Sequence, residues 1–247
     1  MVQNIYDHPD FFEGYKHLRE NASSANRLIE QPALFALLPD LSNKTVLDLG
    51  CGWGENCKEF VSRGAKKIVG IDCSQNMLEM AKKENPFDSV EFFRLPMEYV
   101  VALPYHFDVV VSSLAVHYVE DFSRLAKDIF QLLQPGGIFL FSQEHPLTTA
   151  ILDKNPCWEQ NNSQEVIGYR LSGYGMTGER KVDWLVDDVV KYHRSFSDIF
   201  SALLEAGFSI QAVKEPLPSQ QIIEQYPRYQ KCFHKPDFLL IKCQKPF

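Results

Sequence analysis

From Thr45 onward, apolar runs of strand length alternate with segments of helical period. Thr45 to Leu49 predicts a first strand, and Asn56 to Arg63 the helix that follows it, closed by Gly64. Ile68 to Ile71 predicts a second strand, then an amphipathic helix runs to Lys83 with Ser74 as its N-cap. Val90 to Phe93 is a third, shorter strand. Phe107 to Ser112 is a fourth, with the unbroken apolar character of a strand covered on both faces. Asp121 to Leu133 reads as a helix stopped by Gln134-Pro135-Gly136-Gly137, and Ile138 to Ser142 as a fifth strand. Such alternation predicts a parallel sheet with right-handed crossovers and helices on both faces.

The pattern then breaks. Residues 146–194 are polar and aromatic, punctuated by Gly168, Gly173, Gly175 and Gly178, with strand-like pieces near Tyr169 and Val189 and no clear helix. An irregular insertion of that length is more often a lid or binding element than an idle loop. A helix resumes at Ser197 and ends at Gly207. Two late strands, Phe208 to Val213 and Phe238 to Lys242, are joined by a proline-rich loop, which predicts a hairpin on the sheet edge, with Phe238 to Lys242 as the edge strand, and a mixed sheet. The expected organisation is a helical cap over residues 1–42, a core of 43–145 and 196–247, and a lid over 146–195.

Composition narrows the class. The chain of 247 residues is 45% hydrophobic and 23% charged, ordinary for a soluble globular protein. Its net charge of −7 argues against duplex nucleic acid as the main partner, which would call for a basic footprint. The N-terminus lacks the basic and apolar regions of a signal peptide, and no run approaches bilayer-spanning length. Six cysteines include no C-x-x-C pair, so reduced thiols of a cytoplasmic protein are expected, and no spacing supports a metal site.

The chemistry concentrates at Val46-Leu47-Asp48-Leu49-Gly50-Cys51-Gly52-Trp53-Gly54-Glu55, a buried strand entering a glycine-rich turn. Glycine tolerates positive φ and lets the backbone approach a ligand. About 22 residues beyond Gly50, the second strand ends at Asp72, the spacing of an acid that accepts ribose hydroxyls. Together these point to a nucleoside site. A dinucleotide fold wants G-x-G-x-x-G, with a pyrophosphate at the helix N-terminus. Here Glu55 stands in place of the third glycine, and Asp48 adds negative potential. Such a cleft suits a ligand with an amine and a sulfonium but no phosphate, a description that S-adenosylmethionine meets.

With VLDLGCGWG (46–54), VGIDCSQNML (69–78), FDVVVSSLAVHYV (107–119) and LLQPGGIFLFS (132–142), the chain resembles the class I S-adenosylmethionine-dependent methyltransferases of type 11, in a bacterial branch. The resemblance implies an α/β, Rossmann-like sheet of seven strands, the last antiparallel, with helices on both faces. It implies Gly50 and Gly52 under the methionine portion, Asp48 near the amine, Asp72 on the ribose, and Cys73 and Met77 at the adenine wall. Pro96, Met97 and Glu98 occupy the loop after the third strand, where the family usually has an aspartate for the adenine amine; Met97 backbone or Glu98 would substitute. Ser112, Ser113 and Leu114 would line the floor below the sulfonium, with His117 nearby. The leading segment would fold over the cofactor, Tyr15 capping it and Arg19, four residues on and on the same helix face, meeting its carboxylate.

For a general base, His145 in Glu144-His145-Pro146 is the first candidate, because ligands bind at the carboxyl ends of strands in such sheets; the alternative is a loop-stabilising hydrogen bond. His193 is the second. Trp158, Tyr169, Tyr174 and Trp184 would build an apolar acceptor pocket or serve as core. The expected activity is methyl transfer to a small molecule by a monomer or loose homodimer. A non-catalytic cofactor-binding module and a nicotinamide-dependent oxidoreductase remain as alternatives.

Overall fold

The computed structural model describes residues 4–152 and 158–247. Its centre is a seven-stranded sheet built from β1 (Thr45–Leu49), β2 (Lys67–Asp72), β3 (Val90–Arg94), β4 (Phe107–Ser113) and β5 (Leu133–Glu144), with two late strands described below. β1 lies between β2 and β4, β3 pairs outside β2, and β5 pairs with β4, all in parallel. This matches the alternation in the sequence. β5 begins earlier than expected, because residues of the proline-glycine turn are stitched to the chain terminus: the Gly136 N–H donates to the Lys245 carbonyl at 3.0 Å.

Ahead of the sheet lie α1 (Pro9–Glu20) and α2 (Gln31–Leu37), the latter entered through a π-helical turn over Asn26–Glu30. α3 (Glu55–Ser62), α4 (Gln75–Glu84) and α5 (Phe122–Leu132) are the crossovers. α4 starts where expected, its Ser74 hydroxyl accepting from the Met77 N–H at 3.1 Å. Alternate strand residues feed two separate cores. Leu47, Leu49, Val110 and Phe139 pack with Leu125 and Ile129 of α5; Val46, Val109, Val111 and Leu140 pack with Leu34 of α2 and Phe60 of α3. Burial on both faces is what makes these strands read as unbroken apolar runs.

After β5 comes α6 (Pro146–Thr149), a helical turn that the sequence pattern did not disclose. The insertion then forms two hairpins, β6 (Trp158–Gln160) with β7 (Val166–Tyr169) and β8 (Gly178–Trp184) with β9 (Val186–His193). α7 (Phe196–Glu205) opens on a capping box formed by Ser195 and Asp198. β10 (Ser209–Lys214), α8 (Gln220–Gln225) and β11 (Phe238–Gln244) complete the chain. β11 is not the edge strand. It inserts antiparallel between β5 and β10, so Phe238 to Lys242 are interior and β10 takes the edge. No helix among the described residues is long and apolar enough to cross a membrane.

Candidate functional site

A cavity of about 360 Å³ opens at the carboxyl ends of β1, β2 and β4. Its shape begins with the turn after β1. The N–H groups of Gly50 and Cys51 both donate to the Ile71 carbonyl at 2.9 Å, curling the turn against β2. Gly50 sits at φ +73°, and a Cβ there would stand 2.6 Å from the Ala115 Cβ. Gly52, at φ +51°, has nothing within 4 Å of where its Cβ would lie, and its backbone faces the open cavity.

Asp72 ends β2 on the cavity wall with its carboxylate fixed by backbone donors. Oδ2 accepts from the Gly52 N–H at 2.9 Å and Oδ1 from the Ser74 N–H at 2.8 Å. Burial raises its pKa, and those two N–H groups pull against the rise. Cys73, Met77, Pro96, Met97 and Glu98 continue this wall. Burial pushes the Cys73 thiol up to about 12, so it presents an un-ionised packing surface.

The floor is set by strand parity. Ser113 and Leu114 line the cavity, whereas Ser112 is fully buried beneath it, donating its hydroxyl to the Leu49 carbonyl at 2.7 Å. Asp48 is likewise fully buried, its Oδ2 accepting from the Cys57 thiol at 3.6 Å, and does not reach the cavity surface. The resemblance puts both near the cofactor; here both side chains lie beneath the cavity surface rather than on it. A carboxylate that the sequence reading passed over, Glu30, pins the floor from below. Its Oε1 accepts from Ser113 at 2.9 Å and Ser142 at 2.5 Å, and its Oε2 from Asn26 at 2.7 Å. The acid inside the apolar run Leu28 to Leu38 was the available signal. Leu114 is held at φ +51°, an uncommon conformation for a side-chain-bearing residue, its N–H donating to the Ser142 hydroxyl at 3.0 Å.

The N-terminal segment covers the cavity with Tyr6 and Tyr15, whose rings meet edge to face at 5.2 Å. Arg19 belongs to α1, but its side chain lies outside the described residues. Trp184, at the end of β8, reaches the wall and packs at 6.2 Å from Tyr15. Of the insertion's aromatic residues it alone lines the cavity among the described residues. Trp158 and Tyr169 pack on each other at 4.8 Å, and Tyr174 packs on His193.

His145 and His193 do not reach the cavity wall. His145 caps α6: its Nδ1 accepts from the Leu147 N–H at 3.1 Å, which leaves Nε2–H to donate to Glu215 at 2.8 Å. His193 donates Nε2–H to the Tyr174 carbonyl and takes the Thr149 hydroxyl at Nδ1, both at 2.8 Å. Both ring nitrogens of each histidine are thus taken up by protein partners. The groups that do face the cavity here are Glu144, His117 and Tyr118. Glu144 is half-buried with Oε1 2.6 Å from the Lys191 ammonium of β9. Burial is the largest influence and raises its carboxyl, but Lys191 and the other basic groups around it together hold it below the usual range. Tyr118 places its hydroxyl 3.5 Å from that of Tyr6.

Burial lowers His117 to about 4, so its ring is neutral at physiological pH. The sign of its effect on stability follows. Between pH 6.5 and 4 the unfolded chain binds the extra proton, so this contribution is complete above about pH 6.5 and is lost as the pH falls toward 4. The lost stability is about 3 kcal/mol. His145 and His193, also lowered by burial, act in the same direction. Thermal melts from pH 7 to 4.5 should show a falling midpoint, with a shallower slope in His117→Asn; equal slopes would contradict the assignment.

The residues suit an S-adenosyl nucleoside. A carboxylate ends β2 at the wall for a diol, Gly52 leaves open the space a side chain would fill, and Glu55 on the rim opposes a pyrophosphate. Comparison with known proteins agrees. A family model described as a methyltransferase domain matches residues 47–141. An uncharacterised protein from Haemophilus influenzae is 38% identical over 98% of this chain and 97% of its own length. A ubiquinone biosynthesis O-methyltransferase from Neisseria meningitidis is 31% identical over 47% of this chain and 48% of its own. The solved S-adenosylmethionine-dependent methyltransferase from Mesorhizobium loti superposes with a TM-score of 0.79 at 34% identity, covering 90% of this chain and 98% of that one. The nicotinamide alternative gives way to these findings. With glycine turn, Asp72 wall and whole-chain relatives in accord, the chain belongs to the S-adenosylmethionine-dependent methyltransferases.

Proposed function

We propose that the acceptor is a small molecule that enters beside Glu144, Tyr118 and Trp184, with residues 1–42 as a cap and 146–195 as a lid around the 43–145 and 196–247 core. The observation that carries this reading is the half-buried, ionised Glu144 in the wall of a cavity otherwise faced here by aromatic rings. The cofactor supplies an activated methyl group for in-line displacement. The protein supplies alignment and a dry pocket, effects worth about 7–11 kcal/mol where geometry is good. Glu144 would accept a hydrogen bond from the acceptor's O–H or N–H and orient its lone pair, while neutral His117 adds no competing charge. The name of the Neisseria relative, an O-methyltransferase of ubiquinone biosynthesis, supports a small acceptor. The net charge of −7 supports the same and disfavours nucleic acid. Free thiols at Cys51, Cys57, Cys73, Cys232 and Cys243 support a cytoplasmic setting, and the interior placement of β11 a monomer or loose homodimer.

The test is a panel of phenols, amines and carboxylic acids, followed by release of S-adenosylhomocysteine. With any acceptor so found, Glu144→Gln should lower turnover about 100-fold while leaving cofactor affinity within about twofold. Unchanged turnover would remove Glu144 from the acceptor site.

A further inference from the structure

Asp7 joins the N-terminal segment to the nucleoside wall. Its Oδ1 accepts from the Ser74 hydroxyl at 2.5 Å and the Asn76 N–H at 3.1 Å. Its Oδ2 accepts from the Gln75 N–H at 3.3 Å and the Asn4 amide at 2.6 Å, with the Arg94 guanidinium at 3.5 Å. The carboxylate therefore sits on the first turn of α4, where backbone N–H groups lack helical partners and the helix dipole favours negative charge. Burial works against ionisation there, but the Ser74 hydroxyl, the Asn76 and Gln75 N–H groups and the Asn4 amide together hold the carboxyl below its ordinary range.

Ser74 is the hinge of the arrangement. Its N–H holds Asp72 while its hydroxyl holds Asp7, so two nearby carboxylates share one fully buried residue. Next to Asp7, Tyr6 lines the cavity, with its ring packed on Phe11 at 4.9 Å and on Tyr15 at 5.2 Å. Asn4 completes the seam by donating to the Cys73 carbonyl at 3.5 Å. Releasing this one carboxylate would detach the chain that holds Tyr6 over the cavity and loosen the residue that orients Asp72.

We propose that Asp7 is a positioning residue that clasps residues 4–7 onto α4, closing the N-terminal segment over bound cofactor and setting the rate at which cofactor leaves. The proposal rests on the reading that this cavity holds the cofactor. It predicts an effect on dissociation that general destabilisation would not produce.

Preformed complexes with S-adenosylhomocysteine, chased with excess competing ligand in a stopped-flow instrument, give the release rate. Trp53 and Trp184, each packed on Tyr15, report by fluorescence. Asp7→Asn and Asp7→Ala should release the probe about tenfold faster or more, the scale of one lost charge-assisted hydrogen bond, with association within about threefold. Arg94→Ala, which removes an exposed partner at 3.5 Å, should stay within about twofold. In the ligand-free protein, limited proteolysis within residues 4–24 should accelerate in the Asp7 variants while the core melts at a similar temperature. Binding by the wild type with release and cleavage unchanged in the variants would overturn the clasp alone. No binding by folded wild type would overturn the cavity reading and the clasp with it.

Discussion

Replacing Asp72 with alanine should weaken S-adenosylhomocysteine binding by about 100-fold or more, measured by calorimetric titration. The carboxylate is held in place before any ligand arrives, by the Gly52 and Ser74 N–H groups at 2.9 and 2.8 Å. A ribose diol therefore meets an oriented acceptor, and hydrogen bonds to a charged group contribute about 1.5–3 kcal/mol each. Loss of two such bonds corresponds to about two orders of magnitude or more in affinity. The substitution also leaves two backbone donors without their acceptor, which adds to the loss. Affinity within about threefold of wild type would place the ribose elsewhere.

The second large effect separates two glycines of one turn. Gly50→Ala should lower the thermal midpoint by about 10 °C. A side chain at φ +73° costs about 1–2 kcal/mol, and the methyl would meet the Ala115 Cβ at 2.6 Å and the Met97 methyl at 3.0 Å, an overpacking worth about 1–3 kcal/mol more. Gly52→Ala carries the left-handed strain without the clash, so the fold should lose only a few degrees. Its methyl would project into open space at the cavity, where the cofactor's methionine portion is expected, and binding should suffer most. The reverse pattern, with Gly52→Ala unfolded and Gly50→Ala merely unable to bind, would show that the turn has been assigned backwards.

The contrast between those glycines marks what was legible in the sequence. The β/α alternation, the glycine turn, Asp72 and the Ser74 cap depend on local spacing, and the structure places them where that spacing says. Strand parity was harder. Glu144 and His145 are adjacent, yet Glu144 faces the cavity while His145 turns away to cap α6 and meet Glu215. Ser112 and Ser113 divide in the same manner. A one-residue difference selects the opposite side of a strand, and nothing in the chain marks which side the ligand occupies. Contacts between distant segments were not legible at all. Glu30 reaches Ser113 across 83 positions and Ser142 across 112, and Tyr6 meets Tyr118 across a further 112. β11 read as an edge strand because the sequence shows its length and polarity, not the order in which strands pair.

A crystal structure of the protein with S-adenosylhomocysteine tests the central claim most directly. The account predicts ribose hydroxyls on the Asp72 carboxylate, adenine against Cys73, Met77 and Met97, the methionine portion over Gly50 and Gly52, and the sulfur directed toward Tyr118 and Glu144. Ligand bound elsewhere, or in this cavity with its ribose away from Asp72, would contradict it.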